Sequence, residues 1–292
     1  MTALALVTDA DCPLGRAIVD RLASRGDHIR ALSRAPGGPA TDRVARFPFD
    51  ALARAFAGVV SRVIHIGPRW STPSAPAPAA VIDASLRAEA GRLVHVSSTD
   101  ILHLREVDGQ NLSELSPYDP RPEWRGSAVE AQLRAEQAII DAARERDLPA
   151  LVLRPGSIVG AEPWPPPHLP LIVGDGSRRL PWVYIDDVVD AVLLAARSDA
   201  WAGQIVHLVD PDAPTEAEIF ANRPRVPRSA FALGERWLLP LLESSPWAGR
   251  AHRWRSQLSR PHFVTHNASR LGWRPRVGVR EGLDRVERKR VR

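Results

Sequence analysis

Short apolar runs alternate with longer amphipathic stretches through the first two-thirds of the chain. The runs are rich in β-branched and aliphatic side chains, which is typical of buried strands, and apolar positions recur at helical spacing between them. Alternating strands and helices predict a doubly wound parallel sheet, whose ligands bind beyond the carboxyl ends of the strands. The predicted strands cover residues 4–8, 28–33, 63–66, 93–97, 150–153 and 204–209, and the predicted helices cover residues 14–24, 79–90, 123–146 and 185–197.

This alternation becomes irregular after Pro155. Residues 162–170 carry five prolines, which predicts a surface loop or lid. The chain beyond residue 211 has the pattern of a small, mainly helical unit. We therefore predict a Rossmann-like domain over residues 1–160, to which residues 180–210 return. A smaller, arginine-rich substrate or cap domain is predicted over residues 161–179 and 211–292.

Composition excludes several kinds of chemistry. Lys289 is the only lysine among 39 basic residues, so a lysine-dependent mechanism in the body of the fold is excluded. Cys12 is the only cysteine, which rules out an intrachain disulfide and a thiolate-rich zinc site, and we expect no metal. No apolar run is long enough to span a membrane, and the N-terminus has no basic segment of a signal peptide. The expectation is a cytoplasmic protein without a membrane partner.

Charge is distributed unevenly. Residues 221–292 hold 17 basic and 5 acidic side chains, a net charge of +12, whereas residues 1–220 have a net charge of −7. A basic segment suggests an anionic partner, such as a phosphorylated substrate or an acidic carrier protein. The alternative is a solvated arginine-rich surface. Nucleic acid is disfavoured because no recognition motif accompanies the charge.

Seven motifs follow one another along the chain, at residues 7–16, 31–34, 63–67, 94–98, 153–160, 182–188 and 271–275. The first lies between a predicted strand and a predicted helix. In this order and context the motifs resemble the extended short-chain dehydrogenase/reductase family, of the NAD-dependent epimerase/dehydratase type, whose glycine-rich turn has the place of the first motif. The resemblance covers nearly the whole chain and implies a Rossmann-like fold with a smaller C-terminal substrate domain.

The resemblance implies a dinucleotide site with an altered turn. The family's three glycine positions fall on Asp9, Cys12 and Gly15, so only the glycine that lets helix pack on strand is kept. A carboxylate at Asp9 opposes a pyrophosphate. Arg34 stands where a family member that uses NADP(H) holds the 2′-phosphate, so NADP(H) is the favoured cofactor and the absence of any cofactor is the alternative. The remaining candidate cofactor-binding residues are Thr8, Leu14, Ser33, Asp50 and Gly67.

The family's catalytic tyrosine and lysine are missing. Aligning Glu136 with the glutamate that commonly follows this pair places the tyrosine position on Ala128 and the lysine position on Gln132. The family uses this lysine to lower the pKa of the tyrosine, which then acts as acid and base. The sequence therefore argues against the family's usual hydride transfer.

Candidate catalytic residues follow the predicted strand 93–97. Residues 97–102 resemble the same segment of the sugar-nucleotide 4,6-dehydratases, in which a threonine and two carboxylates face the substrate. The resemblance places Ser98 at the threonine, Thr99 at the first carboxylate and Asp100 at the second, the general base. His103 lies in the same loop, and Tyr184 occupies a position that often lines the cleft. For Asp100 the alternative is a turn cap, and for His103 an inert loop histidine.

Three functions remain open from the sequence. The first is non-redox acid–base chemistry, such as isomerisation, dehydration, cyclisation or bond cleavage, on a small biosynthetic intermediate that is anionic or carrier-bound. The second is an NADP(H)-dependent oxidoreductase or epimerase with an altered catalytic acid. The third is a non-catalytic sensor or scaffold whose basic end binds an acidic protein. The family often dimerises through two long helices, so the resemblance also allows a homodimer.

Overall fold

The computed structural model describes residues 4–34, 43–58, 60–104, 108–160, 172–173, 176–177, 179–220, 228–229, 242 and 245–290. Its centre is a parallel sheet of seven strands in the order β3-β2-β1-β4-β5-β6-β7. These strands are β1 (Leu4–Val7), β2 (His28–Ser33), β3 (Val44–Pro48), β4 (Arg62–Ile66), β5 (Leu93–Val96), β6 (Ala150–Pro155) and β7 (Ile205–Leu208). This order confirms the predicted doubly wound sheet.

The longer helices are α1 (Pro13–Ser24), α2 (Pro78–Arg87), α3 (Ser127–Glu145), α4 (Ile185–Ala195), α5 (Ala248–Leu258) and α6 (Gly278–Arg290). Of these, α1 and α4 pack on one face of the sheet, and α2 and α3 pack on the other. Helix α5 packs against the short helix Pro122–Arg125, and α6 packs against Trp182–Tyr184. Shorter helices lie at Leu52–Ala55, Pro122–Arg125, Glu216–Phe220 and His266–Arg270. Additional strand pairs join Asp108–Leu112 to Arg260–Phe263, Ser157–Val159 to Trp182–Tyr184, and Ile172–Val173 to Arg228–Ser229. The short pairs lack a long periodic pattern, and the sequence did not predict them.

Side chains that alternate along the strands fill two apolar layers. In β1, Ala5 and Val7 face the layer under α1 and α4, whereas Leu6 faces the layer under α2 and α3. This arrangement is the period-two geometry of a strand buried on both faces. It explains why these strands read as continuous apolar runs.

Gly126 divides the helix that the sequence predicts over residues 123–146. The structure has a short helix at Pro122–Arg125 and then α3 from Ser127, because Gly126 has φ 125°. That conformation lies outside the helical region and favours glycine. The break separates the two helices, so α3 begins at Ser127.

The basic C-terminal segment packs on acidic groups of the sheet domain. Asp187 accepts the main-chain N–H groups of residues 276–278 at 2.7–3.0 Å, and Asp210 accepts that of Val279 at 2.7 Å, so these two carboxylates cap the start of α6. Arg280 pairs with Glu218 at 2.8 Å. Part of the charge difference between the two segments is therefore neutralised within the molecule. Among the described residues, no helix combines the length and apolarity needed to cross a membrane.

Candidate active site

A buried carboxylate closes the turn between β1 and α1. Asp9 is fully buried, and its Oδ1 accepts the main-chain N–H groups of Asp11 at 2.9 Å and Cys12 at 3.2 Å. Its Oδ2 accepts the N–H of Thr72 at 2.6 Å, in the loop that follows β4. The chain therefore supplies its own acceptor for N–H groups that point into this turn.

Cys12 and Gly15 complete the turn. The Cys12 Sγ accepts the N–H of Gly15 at 3.2 Å and caps α1. Burial and the neighbouring Asp9 raise the pKa of the Cys12 thiol to about 12, so it stays protonated near neutral pH. A Cβ on Gly15 would lie 1.7 Å from the Asp9 carbonyl oxygen, so the close approach of helix to strand requires glycine. Leu14 is buried in the adjacent core, and the Thr8 hydroxyl accepts the N–H of Ile66 at 3.1 Å.

A second carboxylate from the same turn reaches the end of β2. Asp11 accepts the Ser33 hydroxyl and the Arg34 main-chain N–H, both at 2.6 Å. The Arg34 residue is exposed. Asp50, also assigned to the cofactor site from sequence, is exposed in the short helix Phe49–Ala51 after β3. The structure thus brings together the predicted residues of the first two strands, but Asp11 already binds two of their polar groups.

Asp100 forms an ion pair at the carboxyl end of β5. Its Oδ2 accepts from the Arg69 Nε at 3.0 Å, and about a third of each side chain is exposed. Burial alone would raise the pKa of Asp100, but the charges of Arg69 and Arg125 hold it below its ordinary value. Asp100 is therefore an ionised carboxylate at neutral pH. Ser98, rather than Asp100, caps the turn Thr99–Ile101, by accepting the N–H of Asp100 at 3.1 Å.

The loop after β4 fixes the position of Arg69. The Arg69 guanidinium lies 5.1 Å from the centre of the Trp70 ring, and the Arg69 N–H donates to Gln132 Oε1 at 3.0 Å. The Trp70 Nε1 donates to the Ser97 carbonyl at 2.6 Å. Gly67 begins the loop, and a Cβ there would lie 2.5 Å from both the Gln132 side chain and the Val96 carbonyl. Among the described residues, no acceptor contacts the two terminal Nη groups of Arg69.

The positions aligned with the missing catalytic pair differ in environment. Ala128 is exposed at the start of α3, so no side chain fills the tyrosine position. Gln132, at the lysine position, is fully buried, and its Nε2 contacts Ser97 Oγ at 3.1 Å and His95 Nε2 at 3.2 Å. The His95 ring in turn contacts His65, with 2.8 Å between the Nδ1 atoms. Gln132 therefore connects the loop of Arg69 to the buried histidines of β4 and β5, His65 and His95.

A buried ion pair lies beneath this site. The Arg154 guanidinium donates to Glu136 Oε1 at 2.6 Å, and both side chains are essentially inaccessible to solvent. The Tyr118 hydroxyl donates to Glu136 at 2.9 Å, and the Ser97 hydroxyl donates to it as well. Burial and the Glu136 charge raise the pKa of Tyr118 to about 12, which keeps this hydroxyl protonated as a donor. The cluster fixes the end of β5 against α3 and β6.

The other predicted catalytic residues lie in different surroundings. Thr99 is buried beside Asp100, and the main-chain N–H of His103 donates to the Pro117 carbonyl at 2.9 Å. The Tyr184 ring is buried between Gly160 and Gly282. The geometry therefore groups Ser98, Thr99 and Asp100 and places Tyr184 in a separate contact. Sequence reasoning did not identify Arg69, although an arginine just after a strand's carboxyl end was the available signal.

We expect stability to fall on acidification because buried histidines stay neutral in the folded protein. Burial lowers the pKa of His95 to about 3, and burial with the Arg154 charge lowers that of His207 to about 3, from the ordinary 6.5. Below pH 6.5 the unfolded chain binds more protons, so each such histidine costs up to about 1.4 kcal/mol per pH unit. Urea unfolding between pH 7 and pH 5 measures this slope.

The matched variant is His207→Phe, because His207 already packs edge-on against Phe263 with ring centres 5.3 Å apart. We expect its slope to be smaller by up to about 1.4 kcal/mol per pH unit, whatever its stability at pH 7. An unchanged slope would contradict the assignment of a neutral, buried His207.

A parallel sheet of this strand order, with a turn into a helix at its carboxyl edge, defines a dinucleotide-binding type of α/β protein. The chain belongs to the NAD-dependent epimerase/dehydratase family, whose model matches residues 5–208. It is 28% identical to 2-alkyl-3-oxoalkanoate reductase of Stenotrophomonas maltophilia, over 97% of this chain and 98% of that protein.

Solved structures share the fold at low identity. UDP-glucose 4-epimerase of Thermotoga maritima, solved with UDP-glucose, is 17% identical with a TM-score of 0.70, over 99% of this chain and all of that one. The dTDP-glucose 4,6-dehydratase of Streptomyces venezuelae, solved with NAD, is 18% identical with a TM-score of 0.69, over 98% and 96% of the two chains. These likenesses support the fold, and they do not transfer substrate or cofactor.

Proposed function

We propose that this protein catalyses a non-redox acid–base reaction on a small molecule that carries a carbonyl group beside an anionic or polar group. The observation that carries the proposal is the ion pair of Asp100 and Arg69, which is partly exposed at the carboxyl end of β5. A carboxylate base beside a guanidinium is suited to removing a proton next to a carbonyl, because the cation stabilises the oxyanion that forms.

The substrate class we propose is a 2-alkyl-3-oxo acid or its thioester. The curated relative is named for the reduction of a 2-alkyl-3-oxoalkanoate, and it matches nearly the full length of this chain. In such a molecule C2 is bonded to two carbonyl carbons, which makes its hydrogen acidic. Asp100 takes this proton, the electrons of the C–H bond move to the ketone oxygen, and Arg69 stabilises the enolate through its Nη groups. Return of the proton to C2 restores the ketone, so no oxidant or reductant is consumed.

Arg69 has two roles in this scheme. In the free protein its Nε keeps Asp100 ionised. A substrate oxygen that binds the Arg69 guanidinium weakens the interaction of that guanidinium with Asp100. The pKa of Asp100 then rises, which makes the carboxylate a stronger base. Trp70 and the Arg69 main-chain contact to Gln132 limit the movement of the arginine. The base is therefore strongest when substrate is bound.

The test is proton exchange at C2. A 2-alkyl-3-oxoalkanoate and its thioester are incubated with the protein in D₂O without nucleotide, and loss of the C2 proton signal is followed by NMR. We expect exchange above the rate with heat-denatured protein. Parallel samples with NADH or NADPH measure oxidation of the nucleotide at 340 nm. Exchange no faster than with heat-denatured protein, for both substrates, would contradict the proposal.

The second candidate is an NADP(H)-dependent reductase or epimerase with an altered acid. Its support is the exposed Arg34 at the end of β2, where a 2′-phosphate would be held. Against it, Asp11 already binds the Ser33 hydroxyl and the Arg34 N–H. Substrate-dependent oxidation of NADPH in the same assay would favour this candidate over the first.

A further inference from the structure

We propose that Asp9 and Asp11 replace the dinucleotide in this chain. Their carboxylates bind main-chain N–H groups of the turn and polar groups at the end of β2, the two places where this fold holds a dinucleotide. Asp9 also binds the loop that carries Arg69. The nucleotide site is then closed by the chain itself, and NAD(H) and NADP(H) do not fit it. Only the importance of Asp9 for the position of Arg69 rests on the proposed function.

At the pyrophosphate position, side chains of the turn bind the main-chain N–H groups. In this fold the N-terminal N–H groups of the first helix and its preceding turn bind the pyrophosphate, and two glycines allow close approach. Here Asp9 Oδ1 takes the N–H groups of Asp11 and Cys12, and Cys12 Sγ takes that of Gly15. The two side chains occupy the space that the absent glycines would leave open, and both are buried.

At the ribose position, Asp11 binds polar groups at the end of β2. In this fold, side chains at the end of the second strand bind the ribose hydroxyls or a 2′-phosphate. Asp11 extends from the turn and accepts the Ser33 hydroxyl and the Arg34 N–H, each at 2.6 Å. The two contacts connect the turn to β2, as a bound nucleotide would. A phosphate entering here would face two carboxylates, so its charge would be repelled where the family attracts it.

Asp9 also binds the loop after β4. Asp9 Oδ2 accepts the N–H of Thr72, three residues after Arg69. Trp70 binds the Ser97 carbonyl and the Arg69 N–H binds Gln132, so the loop is held from both sides of the cleft. A ligand-free turn with glycines would leave the Thr72 N–H without this acceptor. Asp9 is thus a positioning residue for Arg69.

Nucleotide binding tests the closure of the site. Isothermal titration calorimetry of the purified full-length protein with NAD⁺, NADH, NADP⁺ and NADPH is expected to show no saturable binding up to about 1 mM. Saturable binding with a Kd below about 1 mM for any of the four would overturn the proposal. This readout requires no substrate and no activity, so it is independent of the proposed function.

Hydrogen exchange tests the positioning role of Asp9. In Asp9→Gly we expect amides of residues 11–12 and 67–72 to exchange at least tenfold faster than in the wild type, as local opening becomes easier. Asp9→Asn, which keeps the shape but loses the charge, is expected to give a smaller increase, and it serves if the glycine variant does not fold. Asp20→Asn, on the exposed face of α1, is the matched control. Unchanged protection at residues 67–72 in a folded Asp9 variant would overturn the positioning role.

Discussion

Replacing Glu136 by alanine is expected to lower the free energy of unfolding by about 3–5 kcal/mol. The substitution leaves the Arg154 guanidinium buried without its counter-charge, and both side chains are at most 1% exposed. It also removes the acceptor of the Tyr118 and Ser97 hydroxyls. Because domains of this kind are stable by only about 5–15 kcal/mol, the loss is a large share of the total.

Urea unfolding followed by circular dichroism measures this loss. The matched control is Glu130→Ala on the same helix, because Glu130 also pairs with an arginine, Arg134, whose side chain is 76% exposed. An exposed pair at this spacing contributes about 0.3–0.5 kcal/mol, so the control variant should unfold almost as the wild type does. The contrast isolates burial as the cause.

Glu136→Gln is the companion variant, since it keeps the shape of the side chain and one acceptor oxygen. We expect it to fold and to be intermediate in stability, because the arginine keeps hydrogen bonds but loses the negative charge. Equal stability of Glu136→Ala and Glu130→Ala would contradict a structural role for the buried pair.

The sheet was accessible to sequence reasoning because its strands are buried on both faces. Residues 28–33 form β2 as predicted, and the other predicted strands of the sheet differ from the observed ones by at most two residues at an end. The break at Gly126 was missed because the apolar spacing continues across it, and only the φ of 125° ends the short helix. The short pair Asp108–Leu112 with Arg260–Phe263 joins distant segments, which no local pattern indicates.

The candidate site was accessible only in part. The motif positions predicted that Asp9, Cys12 and Asp100 lie after strand ends at the carboxyl edge of the sheet, because the order of strands fixes which residues reach that edge. They did not show that the Asp9 carboxylate turns inward to a main-chain N–H of Thr72, which lies 63 residues away. They also did not pair Asp100 with Arg69. Such contacts depend on how loops that follow different strands are placed relative to each other, and no pattern in a single sequence indicates that placement.

Gln132 stands at the position that the alignment assigns to the family's lysine, and its contacts differ from those of a catalytic residue. A lysine at residue 132 would place a charge beside the tyrosine that the family uses, but Gln132 is neutral and fully buried. Its amide donates to Ser97 Oγ and accepts the Arg69 N–H, so a catalytic position has become a support for the Arg69 loop. The positive charge of the site is now on Arg69, which follows β4. In the proposed mechanism, the positive charge that assists proton transfer comes from the loop after β4, whereas the family's lysine position lies on α3.

Asp100→Asn is expected to reduce C2 proton exchange by about 10²- to 10⁴-fold, the usual contribution of a positioned general base. The amide keeps the size of the side chain and can still accept from Arg69, so the fold and the Arg69 position should be retained. Rates are measured by NMR in D₂O with substrate in excess. Asp83→Asn is the control, because Asp83 pairs with Arg146 on the outer surface and should leave the rate unchanged.

The pH dependence separates a base from a structural carboxylate. With the pKa of Asp100 in the free protein held low by Arg69 and Arg125, wild-type exchange at subsaturating substrate should decline only in strongly acidic solution. Arg69→Gln removes one of these charges, so the pKa of Asp100 rises and the decline moves to higher pH. The same variant loses the group that stabilises the enolate, and its maximal rate falls as well. A lower rate with an unmoved acid limb would show that Arg69 acts on the substrate alone, and an unchanged rate in Asp100→Asn would remove Asp100 from the mechanism.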